Sequence, residues 1–190
     1  MRRSELSQNL QESKQNSSFV CSSCGQEHAG FPLSFAADYP DPYANLSVDE
    51  RDARAFAGSD QCIIDQREFY IRGCLELPIL GTNDVFLWGL WARVKEEVFD
   101  EIDNHWESQR REKSIGPYKG RLANALSIYP DTLNQRLEIQ IKPVGTRPRF
   151  ILEEIDNPLS IEQRNGITRN KAEEYACLLL RMAKGRGRER

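Results

Sequence analysis

Residues 68–79 read Glu-Phe-Tyr-Ile-Arg-Gly-Cys-Leu-Glu-Leu-Pro-Ile, and their alternation decides the fold. Phe69, Ile71, Gly73, Leu75, Leu77 and Ile79 fall on one register; Glu68, Tyr70, Arg72, Cys74 and Glu76 fall on the other. Side chains of a strand leave its two faces in turn, so a period of two marks a half-buried antiparallel strand. Pro78 lacks a backbone donor and ends the strand or lies at an edge. Gly81-Thr-Asn-Asp84 is a turn, and Val85–Val94 alternates again. There Phe86, Trp88, Leu90, Ala92 and Val94 share one face, with Leu87, Gly89 and Trp91 opposite. The two runs make a long hairpin, and a Trp on each face predicts that both faces are covered.

Downstream, Val98, Phe99, Ile102 and Trp106 are spaced for a helix over Lys95–Ser108. Gly116–Ile128 reads as a loop with a short helix through Leu122–Leu126. Arg136–Val144 and Arg149–Glu154 are further strands, Ser160 opens a helical turn that Gly166 stops, and Thr168–Ala183 is the final helix. Upstream, Ser47-Val-Asp-Glu50 is a capping box, followed by a helix to Ala57 that Gly58 ends. Phe31–Tyr43 holds Pro32, Pro40 and Pro42 and reads as an irregular wrap. Phe19-Val20 is a short leading strand. The strands follow no βαβ rhythm, so the expected fold class is α+β, an antiparallel sheet built on the hairpin with flanking helices and an N-terminal zinc-knuckle-like module.

Composition sets the limits. Residues 1–18 are mostly Ser, Gln, Asn and charge, too polar to offset the entropy of ordering. The expected organisation is a tail over 1–18, one α+β domain over 19–183 that includes a metal knuckle at 19–65, and a basic tail over 184–190. The net charge of −3 is uneven: residues 181–190 carry five cations and one anion, leaving −7 on the rest. An acidic body is a poor footprint for nucleic acid, so the basic end is read as solubilising. No apolar run is long enough to span a membrane, and no apolar stretch follows Arg2 and Arg3 as in a secretory signal. Five cysteines, an odd number with two in a Cys-x-x-Cys pair, point to free thiols in a reducing cytoplasm.

The chemistry concentrates in Cys21-Ser-Ser-Cys24-Gly25-Gln-Glu-His28. Two intervening residues bring both thiolates to one tetrahedral Zn²⁺, and Gly after the second Cys permits the turn that aims backbone amides at sulfur. His28 supplies a third ligand, and Cys62 is the candidate fourth. A redox Cys-x-x-Cys would open a helix in a βαβ unit, which this chain lacks. A closed Cys₃His site is structural. An open one, with Glu27 or Asp60 as base, would instead be hydrolytic. Cys177 reads as a core residue and Cys74 as a reserve ligand. Tyr70, Arg72 and Glu76 read as a salt-bridged sheet face, His105 as a helix-end residue, and Trp88, Gly89 and Trp91 as packing. There is no P-loop, Gly-x-Gly-x-x-Gly or Gly-x-Ser-x-Gly.

Several ordered strings carry a resemblance. Phe19 through Cys21-x-x-Cys24-Gly25-x-x-His28, Asp60-x-Cys62-Ile-Ile-Asp65, Phe69-Tyr-Ile-Arg72-Gly73, Glu76-Leu-Pro78-Ile and Trp88-Gly-x-Trp91 are joined by Tyr129-Pro130-x-Thr132-Leu133, Arg147-Pro148 and Asn157-Pro158-Leu159. Over Phe19 to Ile167 the chain resembles the bacterial domain-of-unknown-function family 2199. The resemblance implies that Cys21, Cys24, His28 and Cys62 belong to one shared pattern, and it implies no reaction. Asn157 departs from that pattern, which often places His before the Pro-Leu pair. The expected function is a cytosolic binding module with a structural zinc ion and a protein partner; the alternative is a metal-dependent hydrolase.

Overall fold

The computed structural model describes residues 18–20 and 27–186. They fall into two compact units, one of residues up to Pro32 with those from Asn170 onward, the other Leu33–Arg169. In the first, strand β1 (Ser18–Val20) pairs antiparallel with β2 (Glu27–Ala29), placing Phe19 opposite His28.

The second unit runs β3 (Ser34–Ala36), α1 (Asp41–Ala44), α2 (Val48–Arg54), β4 (Ala55–Ala57), β5 (Gln61–Ile64), β6 (Glu68–Pro78), β7 (Val85–Val94), α3 (Glu96–Asn104), α4 (Arg111–Ser114), β8 (Tyr118–Leu122), β9 (Arg136–Gln140), β10 (Arg149–Leu152) and α5 (Pro158–Asn165). The final helix, α6 (Arg169–Arg186), buries Ala172, Ala176 and Cys177 on one face.

The hairpin expected over 68–94 is β6 and β7, in register from Phe69 opposite Val94 to Pro78 opposite Val85. The sheet around it is not open. β7 pairs with β8, β8 with β9 and β9 with β10, all antiparallel, and β10 returns parallel to β6 at Arg149 and Cys74. Five strands thus close a barrel, with β5 and β4 continuing from β6 and β3 lying parallel along β7. The expected antiparallel sheet is therefore corrected to a closed, mixed one. Inside, Ile71, Leu75, Leu77, Phe86, Leu90, Leu122, Leu137, Ile139 and Phe150 have no accessible surface, each burial stabilising by about 1.5–3 kcal/mol.

Gly73 makes the closure possible. A Cβ there would lie within the van der Waals shell of the Phe150 ring and 2.8 Å from the Pro148 carbonyl, which accepts from the Cys74 amide. Gly89 does the same for β3, since its missing Cβ would sit 3.0 Å from the Ala36 Cβ.

Both hairpin faces are covered. Outside the barrel, Tyr70 and Trp91 pack with Cys62, Ile64 and Ala123, under Ala37, Tyr43, Leu46, Ala55 and Ala57. The capping box on Ser47 and Glu50 is present, but α2 stops at Arg54 because Ala55–Ala57 pairs with β5 instead. The stretch expected as a helix over Leu122–Leu126 is the end of β8 followed by extended chain. There the Asn124 side chain accepts from the Trp91 amide at 2.8 Å and donates to Tyr39 and Asp41, so tertiary bonds replace a helical ladder. Within the wrap, Pro40 is the N-cap of the single turn of α1 and Pro42 lies in that turn.

Candidate functional site

The Cys/His motif belongs to the first unit. β1 and β2 flank residues 21–26, so Cys-x-x-Cys-Gly occupies the connection of an antiparallel pair, and His28 stands on the returning strand. Cys21 and Cys24 themselves lie outside the described residues. Among the described residues no three His, Cys, Asp or Glu side chains converge as metal ligands.

Cys62 lies in the second unit, on β5, with no accessible surface. Its neighbours are Ile64, Tyr70, Trp91 and Ala123. Burial, with the Glu68 charge adding to it, pushes the thiol up to about 12. Such a sulfur keeps its proton unless a cation takes the proton's place. Cys177 is buried and Cys74 half-buried.

A polar row runs along the outer face of β6. Arg72 lies over the Trp91 ring and donates to the carbonyls of Ala37 at 2.9 Å and Ser59 at 3.3 Å, clipping two segments onto the barrel. Glu76 pairs with Arg149 at 3.2 Å, and Asp60 pairs with Arg147. Burial alone would raise the Asp60 carboxyl, but hydrogen bonds from Arg147 and Ser59 and the charges of Arg147 and Arg72 hold it below the ordinary value. A carboxylate held this way is a weak base, which counts against its hydrolytic role. Glu76 thus forms part of the salt-bridged face expected there; Arg72, bonded to two carbonyls, does not. Nor does Tyr70: it is 1% exposed and donates to Glu68 at 2.7 Å.

Arg111 was not legible in the sequence. It is 3% exposed, stacks 4.8 Å from the Trp106 ring, and donates to the carbonyls of Trp106, Lys142 and Thr146. It fastens the loop before β10 to the end of α3, and with Asp60 and Arg147 it lines a cavity of about 380 Å³. His105 closes α3 and bonds the Glu101 carbonyl of its own helix. Trp88 and Trp91 are core residues, inside and outside the barrel wall. Asn157 is the N-cap of α5, its side chain accepting from the Leu159 amide and donating to the Pro130 carbonyl, so a cap occupies the departing position.

The second concentration of charge is a groove of about 460 Å³ on the outer face of β7, β8 and β9. Arg93, Lys95, Lys119, Arg121 and Arg136 line it with one carboxylate, Glu153, along the backbone of Val94, Gly120 and Leu137, whose register faces the barrel interior. Glu68 and Glu138 pair with Arg93 and Lys119 at its edges. The sequence reading missed this groove because its cations are scattered over residues 93–136 and only the barrel gathers them.

No helix of the described residues is long and apolar enough to cross a membrane. A family model described as an uncharacterized protein conserved in bacteria (DUF2199) matches residues 20–167. No curated protein and no solved structure matches the chain.

Proposed function

We propose, from the premise that the chain belongs to the uncharacterised bacterial family DUF2199, that it is a binding module whose recognition surface is the cationic groove on the barrel. The groove carries this reading: five cations are gathered on one face of a chain whose net charge is −3. Local charge opposite to the bulk charge favours a partner of complementary sign. A protein partner with an acidic or phosphorylated segment meets that requirement.

The β1–β2 connection is the proposed zinc knuckle, with Cys21, Cys24 and His28 as ligands and a structural role for the ion. Cys62 decides how the set is completed. If its thiolate is the fourth ligand, Cys62→Ala loses zinc together with Cys24→Ser. If it is a core thiol, Cys62→Ala keeps one zinc per chain and lowers stability by about 1–3 kcal/mol. Metal analysis of the full chain and both variants reads this directly. The hydrolytic alternative needs a retained ion, an exchangeable water and a base, and Glu27 on β2 is then the residue to replace. Wild-type protein that holds no zinc at all sinks the knuckle.

A further inference from the structure

We infer that the groove binds a phosphomonoester group, an assignment that rests on the binding reading above and gives its partner a chemistry. The placement of three arginines carries it. Arg93 is the register partner of Arg121, and Arg121 of Arg136, so the three stand in one cross-strand row over β7, β8 and β9. Strands are about 4.8 Å apart, so the row spans about 10 Å. Like charges placed directly opposite one another destabilise a sheet.

The row is only partly neutralised from within. Arg93 meets Glu68 at 3.2 Å, and Arg136 meets Glu153 at 3.9 Å, the outer limit of an ion pair. Among the described residues Arg121, in the middle, bonds only the Asn134 carbonyl, at 3.2 Å. Lys119 pairs with Glu138 at 3.4 Å. Lys95 has no ion pair among the described residues, Glu96 and Glu97 beside it included. Five cations against Glu68, Glu138 and Glu153 leave +2, and the rest of the chain then carries −5.

A charge of +2 matches a phosphate dianion. Guanidinium forks pair with phosphate oxygens in a planar, bidentate way, and adjacent forks offer more donors than one carboxylate can accept. Gly120, between Lys119 and Arg121, takes the opposite register and faces the barrel interior, where a Cβ would lie 3.0 Å from the Ile139 side chain, so the row stands on a closely packed wall. A nucleic-acid backbone offers monoanionic diesters and would run the −5 remainder along a polyanion, so it fits less well.

The test is an amide chemical-shift titration of the full chain with phenyl phosphate, a phosphoserine tripeptide, its unphosphorylated form and sulfate. Saturable shifts at Gly120 and Arg121 are expected with both phosphomonoesters, and tighter binding of the tripeptide assigns the group to a protein partner. Arg121→Gln should weaken both by about tenfold or more, the loss of one charge-assisted bond. Arg121 is exposed, so the variant should fold; Lys95→Gln is a second, independent variant, and Lys113→Gln, exposed on α4 and outside the groove lining, should change nothing. Equal, non-saturating shifts with sulfate and phosphate mean an adventitious ion only, and overturn the assignment. Binding that survives both groove substitutions overturns it too. A partner that needs the groove but not a phosphate defeats this inference and leaves the binding module standing.

Discussion

Gly73 shows what one residue does in this fold. Its place in the alternation was plain, but its purpose was not: a glycine on the buried register of a strand reads as a weakness until its neighbour is known. The neighbour is Phe150, 77 positions later, whose ring fills the space a side chain would take. Gly73→Ala should therefore overfill the barrel and cost about 3 kcal/mol or more. A chemical-denaturation midpoint reads this, and a loss within about 0.5 kcal/mol, that of an ordinary surface substitution, would contradict the closure described here. Cys62 marks the opposite limit. Its spacing before the hairpin suggested a ligand, whereas its burial among Ile64, Tyr70 and Trp91 equally describes a core thiol, and only the metal measurement separates them.

Among the elements, strands with strict alternation and helices with side-chain caps were legible, because those signals are local. β6, β7, β9 and the Ser47 capping box follow directly from residue order. β3, β4 and β8 were missed for one shared reason. Each is short, and each exists because a longer strand offers it an edge: β7 for β3 and β8, β5 for β4. Connections between elements rest on side chains that sequence alone cannot pair. Asp60, before β5, holds Arg147, before β10, and its carboxyl lies below the ordinary 3.8. A depressed folded value means the contribution to stability is full above the unfolded value and is lost as pH falls through the folded one. Stability of the wild type should therefore drop more steeply below about pH 4 than that of Arg147→Gln, which lacks the pair. Parallel acid-denaturation curves would remove this pair from the account.

At the scale of the whole molecule, composition gave a negative chain, and among the described residues no helix is long and apolar enough to cross a membrane, but composition concealed the sign of the surface that matters. A sum of −3 contains a groove of +2, visible only after β7, β8 and β9 are laid side by side. Association through that groove should be steered by charge and weaken as salt rises. A photo-crosslinker replacing Lys119 should capture a partner at low salt and lose it in Arg136→Glu. Capture that is indifferent to both salt and the substitution would place the recognition surface elsewhere. The Cys/His motif, by contrast, was the most legible chemistry in the sequence, and its cysteines lie outside the described residues, so its test is chemical.

The parallel seam between β10 and β6 also sets an order of events. Cys74 and Arg149 meet across 75 intervening steps of chain, whereas β6 and β7 meet across one short turn. Local pairings form early and distant ones late, so the hairpin can exist while the barrel is still open. On the ribosome, the part of that edge of β6 beyond Ile71, where β5 stops, then waits uncovered until Phe150 has emerged. An interrupted chain ending before β10 would expose that edge as a template for other strands. The same join that shuts the barrel is thus the moment at which this stretch of a growing chain stops being able to pair with its neighbours.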